Sequence, residues 1–252
     1  MHAIEIQDLS KSYPSGGEEG PQKVLDIPEM SIPQGESFGL VGNNGAGKTT
    51  MFRCLLDLIR SDTGHIRSFG NDVAHTEDWK RYTGSFLDDS FLIDFLTPDE
   101  YFKFIGDLHS LSEEDREQML ARFEELFQGE IRAKKKYIRD LSTGNKKKTG
   151  IAAAMLFDPD ILVLDEPFSG LDPSSQIVLK DLMKKLKEER GLTMLISSHD
   201  LDHVTEVCDR ITILDQGRVA KDLRTQESTL EELKKHFAEK TGRRTEEGVN
   251  TQ

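Results

Sequence analysis

The sequence contains no apolar run long enough to cross a bilayer. Apolar stretches such as Ile161 to Leu164 fall far short of the about 20 residues a spanning helix requires, so a role at a membrane is expected to run through a partner. Cations are also in deficit: 33 Lys and Arg against 46 Asp and Glu leave a net charge of -13. Wrapping nucleic acid takes a basic face, so no nucleic-acid partner is expected. Two local basic runs, Arg132 to Lys136 and Lys146 to Lys148, read equally well as solvated helix ends or as functional patches. Cysteine is scarce, and Cys54 and Cys208 are expected as buried thiols in a reducing compartment. Met1-His2-Ala3-Ile4-Glu5-Ile6 lacks a basic stretch followed by an apolar one, so no secretory signal is read and a cytoplasmic location is expected.

What is present describes an ordinary folded chain. At 252 residues, with 36% apolar and 31% charged residues and a mean hydropathy of -0.53, it can bury one large α/β core with or without an inserted subdomain. Alternating apolar positions predict strands at Ala3 to Ile6 and, with its turn, at Val24 to Ile32, separated by a Gly- and Glu-rich surface loop over Ser15 to Gln22. A short apolar strand, Ser37 to Val41, runs into a glycine-rich turn, and apolar positions at Phe52, Leu55, Leu56 and Ile59 predict a helix from about Lys48 to Arg60.

The stretch from Thr97 to Asp140 is helical in pattern and free of strand signals. Thr97-Pro98-Asp99-Glu100 forms a capping box with proline at the first helical position, and Ser112 opens a second helix. Strand and helix then alternate: Ile161 to Leu164, a helix after Pro173, Thr193 to Ser197, a helix from Asp200, and Ile211 to Leu214. Such alternation calls for a mostly parallel, helix-covered sheet. After Gly217 come a short strand and an amphipathic helix bearing Leu230, Leu233 and Phe237, and the polar tail from Thr241 is expected to be disordered.

Between the third strand and its helix, Gly42-Asn43-Asn44-Gly45-Ala46-Gly47-Lys48-Thr49-Thr50 contains the pattern G-x-x-x-x-G-K-[ST]. The glycines let backbone N–H groups turn toward phosphate, Lys48 supplies a point charge, and Thr49 offers a hydroxyl to Mg²⁺. A second element, Ile161-Leu162-Val163-Leu164-Asp165-Glu166, is an apolar strand ending in two carboxylates. Asp165 would lie near a metal and Glu166 would face the γ-phosphate, where it can orient a water. The same acidic pair can equally cap the next helix, and by itself the pattern leaves both readings open.

Leu141-Ser142-Thr143-Gly144-Asn145, about twenty residues upstream, decides between them. Here the chain resembles the ATP-binding cassette family, whose signature at this place is Leu-Ser-Gly-Gly-Gln. The resemblance runs from Ile4 to about Leu223 and implies an α/β P-loop NTPase core with a mostly parallel sheet, an N-terminal antiparallel β portion and an inserted α-helical subdomain at about 90–157, all one domain over 1–240. It also implies an ATPase that works with Mg²⁺ as a dimer of cassettes, passing its motion to a separate membrane permease subunit. A soluble cassette ATPase without a transporter is the second reading, and a module that binds nucleotide without hydrolysis the third.

Several residue roles follow from the resemblance. Ser142, Thr143 and Gly144 would meet the nucleotide held by the second cassette, and Asp172 in Ser169-Gly170-Leu171-Asp172 would lie at the dimer interface. His199 would contact the γ-phosphate beside Glu166, Tyr13 would stack on adenine, and Asp88 falls where the family has a metal-linked glutamine. Thr143 and Asn145 depart from the family signature, and Asp88 is shorter and more acidic than glutamine. The overall pattern is similar to the exporter-type branch, with the segment from Phe91 to Phe104 as the permease-docking surface.

Overall fold

A computed structural model of the chain describes residues 1–14, 20–235 and 237. The loop expected over Ser15 to Gln22 and the tail from Thr241 lie largely or wholly outside these residues. The described part builds two sheets. One is antiparallel, in the order β2-β1-β4-β5, from β1 (His2–Tyr13), β2 (Gln22–Pro33), β4 (Thr63–Ser68) and β5 (Asn71–Asp72). The other has the order β10-β9-β3-β8-β7-β6, from β3 (Ser37–Val41), β6 (Thr83–Phe86), β7 (Ile161–Asp165), β8 (Thr193–Ser198), β9 (Arg210–Asp215) and β10 (Arg218–Arg224). Its pairings are parallel except for β10 on β9.

Seven α-helices lie between β3 and β9: α1 (Lys48–Leu55), α2 (Pro98–Leu108), α3 (Glu113–Ala121), α4 (Glu124–Phe127), α5 (Thr143–Met155), α6 (Pro173–Arg190) and α7 (Leu201–Val207). Helices α2 to α5 all lie between β6 and β7, so the expected helical insertion is present. Residues 229–235 are helical as well. The capping box at Thr97 is complete, with Thr97 Oγ1 accepting from Glu100 N and the Glu100 carboxylate accepting from Thr97 N.

The strand period of two assigns side chains to two cores. Ile161 and Val163 of β7 and Leu195 of β8 face the core shared with the antiparallel sheet and α1. Leu162 and Leu164, with Met194 and Ile196, face the opposite core, shared with α5, α6 and α7. Phe102, Phe123, Phe127 and Ile151 of the insertion belong to that second core, so the helices pack on the sheet as part of it. Cys54 and Cys208 are both free and buried, as expected; burial pushes the Cys54 thiol up to about 11 and the Cys208 thiol higher still.

Three expectations are corrected. The first strand is twelve residues long rather than four, because β1 is paired on both sides and its outer face tolerates Gln7, Lys11 and other polar side chains. β2 is likewise one unbroken twelve-residue strand, with no turn inside it. Helix α1 ends at Leu55 rather than near Arg60: Asp57 adopts φ of 50°, and the N–H of Leu58 and of Ile59 both return to the carbonyl of Arg53. That left-handed stop lets Leu56 stay buried without prolonging the helix.

Among the described glycines, the closest approach of neighbouring backbone joins the insertion to the sheet. A Cβ on Gly84 of β6 would stand 1.9 Å from the carbonyl oxygen of Ala154 in α5. Backbone cannot yield as a side chain can, so Gly84→Ala should cost about 1–3 kcal/mol or more, whereas Leu108→Ala, at an exposed position, should stay within about 0.5 kcal/mol of wild type. Denaturant midpoints of the two variants check this, and equal midpoints would contradict the packing.

Candidate functional site

The glycine-rich turn after β3 is shaped by backbone conformation. Gly45 and Gly47 have φ of 81° and 105°, and a Cβ on Gly47 would stand 2.7 Å from the carbonyl oxygen of Val24. Gly47 is the N-cap of α1 and lends no side chain to it, and the first turn carries no acidic residue. The opening N–H groups of α1 are thereby left for an anion. Val24, the residues from Asn43 to Thr50, Asp165 and Glu166 line a cavity of about 280 Å³ over this helix end.

Lys48 is nearly buried and donates to the carbonyl of Gly42 at 2.7 Å. Its Nζ lies 3.6 Å from Glu166 Oε1, while Glu166 Oε2 is 2.8 Å from His199 Nδ1. Glu166 therefore bridges the turn lysine and the histidine beyond β8. It reaches this place through a left-handed backbone, φ 49°, one residue past the end of β7.

Asp165 is held from two sides. Thr49 Oγ1 donates to its Oδ2 at 2.5 Å, and Ser197 Oγ donates to its Oδ1. Ser197 also accepts from the N–H of Glu166 at 3.0 Å, so one hydroxyl organises both acidic residues. The hard oxygen donors of Thr49 and Asp165 suit Mg²⁺, which is bound through few protein ligands with phosphate and water completing the shell. The described residues contain no group of three or more His, Cys, Asp or Glu that could hold a metal ion.

The other residues singled out from the sequence fall elsewhere. Ser142, the N-cap of α5, accepts from Asn145 N at 3.2 Å; it is exposed, as is Thr143, and with Gly144 lies outside the cavity of its own chain. Asp172 is the N-cap of α6, where the Ser174 and Ser175 hydroxyls and the Ser175 N–H hold its carboxyl well below the usual range. Tyr13 ends β1 opposite Gln22, two positions before Val24, with its ring part-exposed and Lys11 Nζ 5.7 Å from its centroid.

Asp88 is not in the cavity wall. Its carboxylate accepts from Ser90 N at 2.8 Å and lies 3.8 Å from Arg53 Nη2, capping a short 3₁₀ turn. Asp89 beside it is pushed upward by burial, against the pull of Lys146 and Lys147. The Lys146 to Lys148 run is not simply a solvated helix end: Lys148 is buried and Lys147 half-buried, both reaching toward the loop after β7.

Residues 25–169 match the family model described as ABC transporter. An ABC transporter ATP-binding protein of Methanocaldococcus jannaschii is 34% identical over 218 residues, covering 85% of this chain and 75% of the relative. This chain belongs to the ABC transporter family. The bacitracin transport ATP-binding protein of Enterococcus faecalis is 32% identical to the cassette over 230 residues, 90% of this chain and 70% of that protein. The cassette spans 62% of the length of a Synechocystis ABC transporter ATP-binding protein to which it is 36% identical over 221 residues, 86% of this chain.

Among solved structures, an ATP-binding subunit of an ABC transporter superposes with a TM-score of 0.77 at 28% identity, covering 94% of the cassette and 93% of that chain. The dimeric post-hydrolysis state of another ATP-binding cassette, bound to ADP and Pi, gives 0.79 at 24% identity over 88% and 99% of the two chains, a likeness of fold.

Ser197 was not among the site residues read from the sequence, and its place at the end of β8, next to β7 in the sheet, is what brings it in. Ser197→Ala would remove the hydroxyl that fixes both carboxylates. We expect ATP turnover to fall about tenfold to a hundredfold with KM for ATP changed far less, as measured by steady-state kinetics. A wild-type kcat would remove Ser197 from the site.

Proposed function

We propose that the cassette binds ATP with Mg²⁺ over the first turn of α1 and hydrolyses it as one half of a cassette dimer that drives a separate membrane permease. The observation that carries this reading is the placement of Glu166 between Lys48 and His199 at the rim of the phosphate cavity. In this reading the N–H groups of α1 and Lys48 bind and orient the triphosphate, and Thr49 and Asp165 would hold Mg²⁺, which would supply positive charge against the phosphates. Glu166 orients the attacking water by accepting its proton in a hydrogen bond, and His199 fixes the glutamate carboxylate. Most of the rate enhancement then comes from positioning and charge, as phosphoryl transfer requires.

The exposed α5 turn at Ser142, Thr143 and Gly144 supports a second cassette as partner, because a capped helix end turned to solvent offers an anion site to another chain's nucleotide. Asp172 would reach that interface from the loop leading into α6. Tyr13 and Val24 supply the adenine side, on opposite strands of the antiparallel sheet. Asp88, held by Ser90 and Arg53, would need to swing away from Arg53 to serve the metal, so we assign the metal to Thr49 and Asp165.

No helix among the described residues is long and apolar enough to cross a membrane, which fits attachment to the inner face of a membrane through a permease. Exposed Phe91, Phe95 and Phe104 on the inserted part supply an apolar surface for that contact. Relatives include a bacitracin transport and a methionine import protein, so the permease, not the cassette, sets cargo and direction; the exporter-type assignment is part of the proposal.

Two variants test the mechanism. Glu166→Gln should trap an ATP-bound dimer that elutes at twice the monomer mass, with turnover lowered at least about a thousandfold. Lys48→Ala should lose tight ATP binding in an equilibrium titration. A Glu166→Gln protein that stays monomeric with ATP would refute the dimer, and one that hydrolyses at the wild-type rate would refute the role of Glu166.

A further inference from the structure

The loop from Glu166 to Asp172 is held by α5, the helix whose N-terminus carries Ser142. Lys147 Nζ donates to the carbonyl of Glu166 at 2.7 Å and to that of Ser169 at 2.6 Å. One turn earlier on the same face, a Cβ on Gly144 would stand 3.3 Å from the carbonyl oxygen of Gly170. One position later, Lys148 Nζ lies 3.6 Å from Asp172 Oδ2. Glu166, Ser169, Gly170 and Asp172 of one loop thus lie against Gly144, Lys147 and Lys148 of one helix.

Lys147 is the strongest of these ties. Two carbonyl acceptors on one ammonium form charge-assisted hydrogen bonds, stronger than the amide bonds of a turn. They engage the residue whose backbone is left-handed and therefore least able to hold its shape unaided. Burial pulls the Lys147 pKa down, while Asp89, Glu166 and Asp165 around it act in the opposite direction. A half-buried cation is a costly way to brace a loop unless its location matters.

We propose that Lys147 is a positioning residue for hydrolysis: it fixes the backbone of Glu166 and couples it rigidly to the Ser142–Gly144 turn. The inference rests on the reading of Glu166 as the water-orienting carboxylate. In a cassette dimer that turn meets the partner's nucleotide, so Lys147 links the site this chain completes for its partner with the site where its own glutamate acts. Lys147 is not among the residues lining the cavity, which separates it from Lys48.

The test is steady-state ATP turnover of the whole protein, with nucleotide affinity and melting temperature measured on the same samples. Lys147→Met should lower kcat about tenfold to a hundredfold while KM and the equilibrium affinity for ATP stay within about threefold, because only the geometry of Glu166 is lost. Lys147→Arg, which keeps charge and donors, should recover most of that loss. Lys135→Met, in the exposed part of the other basic run, should match wild type.

Wild-type kcat in Lys147→Met, or a parallel fall of kcat and affinity that arginine does not rescue, would overturn the proposal. Should Lys147→Met not fold, Lys147→Gln decides in its place: one remaining carbonyl bond predicts a loss of about tenfold at unchanged KM, and wild-type turnover overturns the idea. Glu166→Gln is the reference arm. If it turns over ATP normally the parent reading of the site is wrong, whereas if it is inactive and Lys147→Met is normal only this inference falls.

Discussion

Everything at the site depends on a buried carboxylate that two hydroxyls refuse to release. Asp165 ends β7 almost wholly out of water, where an unpaired charge would be prohibitive, and it is tolerated because Thr49 from α1 and Ser197 from β8 both donate to it. Those two bonds tie the helix that follows the glycine-rich turn to the centre of the parallel sheet. They also fix where the chain stands when it turns out toward Glu166, since Ser197 accepts from the Glu166 N–H as well.

The sheet gives that arrangement its stiffness. β7 lies between β6 and β8 with every one of its five residues buried, and its side chains alternate between two separate cores. Slipping the register by one residue would exchange the cores and turn Asp165 away from Thr49. The position of the Asp165 carboxylate is thus guarded by the burial of four aliphatic side chains on the same strand. This is why the site sits at the carboxyl ends of parallel strands, the place where neighbouring turns can converge.

What could be read from the amino-acid sequence was what neighbouring residues decide among themselves. The turn from Gly42 to Thr49, the capping box at Thr97 and the strand running into Asp165 carry their explanations locally, and the structure has them in those places. β4, β5 and β6 escaped notice because they are short, polar on one side and stabilised by distant partners; Thr83–Phe86, for example, owes its pairing to Ile161–Leu164. Ser197 and Lys147 escaped for the same reason, since a serine in a strand and a lysine in a basic run acquire meaning only from what faces them across 31 and 19 residues of chain. Counting along the chain places Asp88 after β6, but whether so short a carboxylate faces the cavity or Arg53 is a question of direction that spacing does not encode.

The left-handed backbone at Glu166 has a consequence for how this chain can vary. A residue with a Cβ is held there at a cost of about 1–2 kcal/mol that glycine would not incur. The native state is therefore poorer in stability than it could be, and the deficit sits on the residue whose side chain meets Lys48 and His199. Replacing Glu166 by glycine would relieve that backbone strain and remove the carboxylate in the same step, so stability and the side chain are opposed at this one position.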